Sequence, residues 1–174
     1  MSCTCTVDRS QKKHVVLRFV REELLYDIKN YCYIEGDTMQ TTDEHQKHQV
    51  FDVGESGNVD RVTRMLDLVF SQVEVMCFPF SKREMNDMCS YDDELEESEE
   101  YVLRLNVPQT FDGTRAKMLE KSIHELLVCR VVEDWLSITK PGSDVVWKEK
   151  ADTLRSQILS TLRGGTFTRS LSPF

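Results

Sequence analysis

The sequence predicts a mainly α fold: a four-helix bundle with a minor two-stranded β element and an extended C-terminal arm. Three observations carry this expectation. Long segments place apolar residues at the three- and four-residue spacing of a helix. Residues 101–107 alternate apolar and polar side chains with period two, as a strand does. The last ten residues hold only Phe167, Leu171 and Phe174 as large apolar groups, too few for a core of their own. With 174 residues, 40% apolar and 30% charged, the chain fits one domain. It buries roughly 70% of its unfolded surface and needs neither disulfides nor metal to fold.

The elements follow in order. Residues 1–12 read as a flexible segment, and the polar Met1–Thr6 does not read as a secretory signal. A first helix is expected over 13–30. Its apolar residues run from Val15, Val16 and Leu17 to Leu24, Leu25 and Ile28, more than one stripe, which implies burial on two sides. A polar linker carrying Gly36-Asp37 joins it to residues 49–53, a weaker strand. A second helix is expected over 59–78, with Asn58 as N-cap and Pro79 closing it. Its face is Val62, Met65, Leu66, Val69, Phe70, Val73, Met76 and Cys77.

The strand 101–107 can pair with 49–53, since a lone strand leaves its backbone groups unsatisfied. A third helix over 112–138 carries Leu119, Ile123, Leu126, Leu127, Val131 and Trp135 on one broad face. Lys140-Pro141-Gly142-Ser143 has turn chemistry. A fourth helix over 144–163, capped by Ser143, ends at Gly164-Gly165. The chain thus divides into a segment 1–12, a helical domain 13–163 with an acidic insertion at 81–100, and an arm 164–174.

Charge and composition exclude several function classes. With 30 acidic and 22 basic residues the net charge is −8, the wrong sign for a generic nucleic-acid binder. No apolar run approaches the roughly 18 residues of a membrane helix. The six cysteines, Cys3, Cys5, Cys32, Cys77, Cys89 and Cys129, contain no C-x-x-C pair, so they read as free thiols in a reducing compartment. His45 and His48, with Asp43 and Glu44 nearby, begin a metal set without completing one. His124 and Cys129 are five apart on one helix and do not face each other as a base and a nucleophile must. Gly54-Glu55-Ser56-Gly57 is a turn and not a nucleophile elbow, and no glycine-rich phosphate loop occurs. No catalytic residue, metal or cofactor is therefore expected.

The remaining candidates are contacts with other chains. Arg130 and Asp134 are four apart on the third helix, set to pair with each other or a neighbour, and to contribute to a subunit interface. In the arm, Phe167, Arg169, Leu171 and Phe174 are candidate interface residues. The run Asp92, Asp93, Glu94, Glu96, Glu97, Glu99 and Glu100 puts seven carboxylates in nine positions. Such a run repels itself and stays solvated, or presents a negative surface to a channel or a basic partner. It lacks the spacing of a calcium loop.

The order of elements resembles the head–tail connector (adaptor, neck) proteins of long-tailed bacteriophages. The likeness lies in a first helix running into Tyr33-Ile34-Glu35-Gly36-Asp37, an amphipathic helix ending near Phe78, a short strand leading through Val107-Pro108 into a long helix closing with Trp135, and a final helix. It spans roughly residues 20–163; the acidic insertion and both ends have no counterpart in the family. The resemblance implies a virion structural protein without catalysis: a homo-oligomeric ring of about twelve copies, closed by head-to-tail contacts, seated between the portal and the tail proteins around the DNA channel. An acidic wall would let DNA pass without tight binding. Made in the bacterial cytoplasm, the protein would reside in the virion. Other readings of the same residues are a tail-completion protein lower in the neck, a cytoplasmic helical protein-binding adaptor, and a small metal-dependent enzyme built on His45 and His48.

Overall fold

A computed structural model describes residues 12–40, 44–81, 99–109 and 111–163. The order is β1 (Lys12–Val20), α1 (Arg21–Asp37), α2 (Glu44–Phe51), a one-turn 3-10 helix (Asp52–Gly54), α3 (Ser56–Ser81), β2 (Glu100–Pro108), α4 (Gly113–Thr139) and α5 (Asp144–Arg163). The protein is mainly helical with a small two-stranded antiparallel sheet. Among the described residues the α-helices number five, one more than the expected four.

The largest departure from expectation is at the start. Residues 12–20 are a strand, and the helix begins at Arg21. Leu17 and Phe19 are buried while Val16 and Arg18 are exposed, a period of two hidden inside a nearly continuous apolar run. The β-branched Val15, Val16 and Val20 favour the extended form, and Glu22 and Glu23 mark the true helix start by facing its positive end. The partner of β2 is accordingly β1 and not 49–53. The register runs from Lys12 opposite Pro108 to Val20 opposite Glu100, and the Arg21 amide continues the ladder to the Glu99 carbonyl at 3.0 Å.

Residues 49–53, expected as a strand, instead finish α2 and enter the 3-10 turn. Gly36-Asp37, expected in a linker, closes α1. Asn58 lies inside α3, its side-chain amide donating to the Asp52 carbonyl at 2.7 Å. Pro79 also lies inside α3, which continues to Ser81. The one amide that Pro79 lacks would have met the carbonyl of the exposed Val75, so water can take its place. By contrast α4 and α5 match expectation closely. Asp112 caps α4 by accepting from the Arg115 amide at 2.7 Å. Gly142 turns the chain at φ 103°, and its amide donates to Asp144 Oδ1.

The core forms around α4, which contacts α1, α2, α3, α5 and β1. Leu119, Ile123, Leu127, Val128, Val132 and Leu136 are all fully buried, more than one face, so α4 is the central pillar and not a surface helix. The inner sheet face adds Leu17, Phe19, Leu103, Leu105 and Val107 to the same core.

α1 and α2 approach closely at Gly36. A Cβ there would lie 2.8 Å from Phe51 Cδ1, and that ring is stacked on Tyr33 at 5.1 Å. Gly57, in the first turn of α3, has nothing within 4 Å of the equivalent position. The two glycines should therefore respond oppositely to alanine. Gly36→Ala is expected to lose about 1–3 kcal/mol by overpacking, and Gly57→Ala to gain about 0.5–1 kcal/mol through helix propensity. Urea midpoints of the two variants check the signs.

Candidate interaction surface

α3 carries two apolar faces. Val62, Leu66, Val69, Phe70, Val73 and Cys77 are buried. Leu68, Val75 and Phe78 remain 54%, 76% and 57% exposed. At 100° per residue these three fall on the side of the helix away from the core stripe. Single exposed apolar residues are ordinary, but a stripe of them beside a concavity marks a contact surface.

The concavity lies between α3, α4 and α5. It is an open groove of about 610 Å3, lined on α3 by Leu68, Val73, Val75 and Met76, with Leu126 from α4 and Leu159 from α5. Arg130, Arg155 and Arg163 stand around it. A smaller depression of about 300 Å3 adjoins it, sharing Val69, Gln72 and Arg130, and adds the carboxylates Glu133, Asp134 and Asp144. The trough thus has an apolar middle, a basic end and an acidic end. α5 borders it from Asp144 to Arg163.

Arg130 and Asp134 both lie at this trough but do not pair with each other. Arg130 donates to Glu133 on its own helix at 2.7 Å and to Asp152 of α5 at 2.5 Å. Burial works against its charge, yet these two carboxylates outweigh it and raise its pKa. Asp134 accepts from Arg61 of α3 at 2.9 Å. Each side chain therefore ties α4 to a different neighbour, and together they hold the three helices that wall the trough. Phe167, Arg169, Leu171 and Phe174 lie outside the described residues, as do Asp92, Asp93, Glu94, Glu96 and Glu97. Of the acidic run, Glu99 and Glu100 are exposed, and Glu100 pairs with Arg18 across the sheet at 2.8 Å.

The other polar candidates have their own partners. His45 and His48 sit on α2 and not in a loop; His45 contacts Gln49, and His48 packs its ring against Phe51. Among the described residues no group of three or more His, Cys, Asp or Glu is placed to hold a metal ion. His124 meets Asp27 of α1 at 2.7 Å. Cys32, Cys77 and Cys129 are buried and free. Burial pushes their thiols up to about 12, 11 and 12, so they carry almost no thiolate at neutral pH. Cys3, Cys5 and Cys89 lie outside the described residues.

Two features escaped the sequence reading. One is the exposed stripe, whose signal was present: Leu68, Val75 and Phe78 are the apolar residues left over once the core face of the helix is assigned. The other is a polar network joining α1, α4 and α5. Lys150 Nζ reaches Glu125 and lies 4.9 Å from the Tyr31 ring and 5.0 Å from the Trp147 ring. Tyr31 donates to Glu125 at 2.9 Å. Trp147 Nε1 donates to Glu35 at 3.0 Å, and Lys140 donates to the same carboxylate at 2.7 Å. These partners are separated by up to 112 residues in sequence, and no local pattern announces them. The network closes the side of α5 that faces α1 and leaves the trough on its other side open.

No family model, curated protein or solved structure matches the chain.

Proposed function

We propose that this protein is a self-associating structural component of a virion: a head–tail connector of a long-tailed bacteriophage, acting as a ring around the DNA channel. The observation that carries this reading is the exposed stripe Leu68, Val75 and Phe78 beside an open apolar groove. Among the described residues, burial keeps the thiols of Cys32, Cys77 and Cys129 protonated, and His45, His48 and His124 have contacts of their own, so the exposed apolar stripe is the feature that asks for a partner. The resemblance to connectors lies in the order of α1, α3, β2, α4 and α5, with β1 and α2 added to it, and this order supports the virion assignment. The net charge of −8 suits a passage that must not grip phosphates.

Light scattering and electron microscopy of the full chain test the reading. The expected result is a closed particle of about twelve copies. Leu68→Asp and Val75→Asp should disperse it while changing stability by no more than about 0.5 kcal/mol, because both positions are already exposed. A single-copy particle at every concentration, alone and with a portal protein, overturns the ring. If a dissimilar protein is then bound through the same stripe, the adaptor reading takes its place.

A further inference from the structure

We propose that the groove between α3, α4 and α5 is the seat for residues 166–174 of a neighbouring copy, with Phe167, Leu171 and Phe174 as the apolar anchors. This rests on the self-association proposed above and names both halves of the contact. A ring closes through a heterologous interface, in which each copy offers two unlike surfaces. The groove is one surface. The chain beyond α5 offers the other: residues 164–174 carry three large apolar side chains, a single positive charge and no acid.

Where the chain leaves the fold supports this. Arg163, the last residue of α5, itself stands at the groove. To fill the groove of its own copy, the chain would have to reverse within Gly164-Gly165 and run back along the helix it has just left. Nine residues span at most about 30 Å when extended, well beyond the roughly 12 Å of α5 from Arg155 to Arg163 that lines the groove, which leaves length to cross from one copy to the next. The anchors have sites of their own kind in Leu68, Val75, Met76 and Leu159. Arg169 has carboxylates to meet at the acidic end of the trough, where Glu133, Asp134 and Asp144 line the adjoining depression. Binding of this kind, an apolar segment in a groove, draws its strength from a few buried anchors.

The test uses the full chain with a benzoylphenylalanine photo-crosslinker at Leu171, and separately at Phe167, prepared as an equal mixture of 14N and 15N copies. Illumination followed by peptide mass spectrometry is expected to join the crosslinker to residues 68–76 or 155–163, with mixed-isotope pairs showing that two copies are linked. Links confined to single-isotope pairs overturn the proposal, since the segment then folds onto its own groove. A ring that forms without any link in the groove also overturns it and leaves the self-association reading standing. A single-copy particle removes that reading and this one together. Leu159→Asp in the same mixture should at least halve the groove links; an unchanged yield likewise counts against the seat.

Discussion

Trp135→Ala lowers the unfolding free energy by about 3–5 kcal/mol, among the largest losses expected from one substitution in the described residues. The indole is 8% exposed and fills the space between α4 and α2. Its Nε1 donates to the Val50 carbonyl at 3.1 Å, and the Val50 side chain is itself fully buried. Alanine removes the ring and leaves that carbonyl without its donor. Trp135→Phe keeps most of the volume and isolates the second effect, for which about 1–2 kcal/mol is expected. The eight residues of α2 are too few to be helical alone. The amides of Glu44–Phe51 should therefore exchange with solvent much faster in Trp135→Ala than those of α4. Urea unfolding followed by far-UV circular dichroism measures the first effect and hydrogen exchange the second. A Trp135→Ala unfolding free energy within about 1 kcal/mol of the parent would mean that α2 is held by other contacts.

How much of this was legible in the sequence depends on how each element is buried. α3, α4 and α5 could be read within a few residues at each end because each buries apolar residues at helical spacing along its length. β1 could not. It runs straight into α1 without a turn residue between them, so Val15 to Ile28 reads as one apolar stretch. The clue was that a helix there required burial on both sides; splitting the stretch into an alternating strand and a one-sided helix removes that demand. α2 was missed because its eight residues contain one buried side chain, Val50. Its helix is imposed by α1 and Trp135 and not by its own pattern. The candidate surface was half legible. The four-residue spacing of Arg130 and Asp134 suggests a pair, but Arg130 instead meets Glu133 on its own helix and Asp152 of α5, and Asp134 meets Arg61 of α3; the two partners on other helices are not revealed by spacing along one helix.

The network around Lys150 yields the second large effect, and its pH dependence has a definite sign. Burial alone would raise the pKa of Glu125, but the Lys150 ammonium and the Tyr31 hydroxyl outweigh it and hold the carboxyl below its ordinary value. For Lys150, burial pulls the other way, and Glu125 with its neighbours raises the ammonium pKa. The carboxyl therefore contributes fully above the ordinary glutamate pKa of about 4.3, and its contribution is lost as pH falls through the depressed folded value. The ammonium contributes fully below the ordinary lysine pKa of about 10.4 and loses its share as pH rises through the raised one. Glu125→Ala at neutral pH strands the ammonium between two rings and leaves the Tyr31 hydroxyl without an acceptor. Because Lys150 is 42% exposed, water softens the loss to about 1–3 kcal/mol, below that of a fully buried pair. Glu125→Gln keeps an acceptor for Tyr31 and should lose less. Measured by urea unfolding across pH, the gap between the parent and Glu125→Gln should stay constant from pH 6 to 9 and close in acid. A gap that persists unchanged through acid would show that the charge on Glu125 contributes nothing to holding α5 on this side.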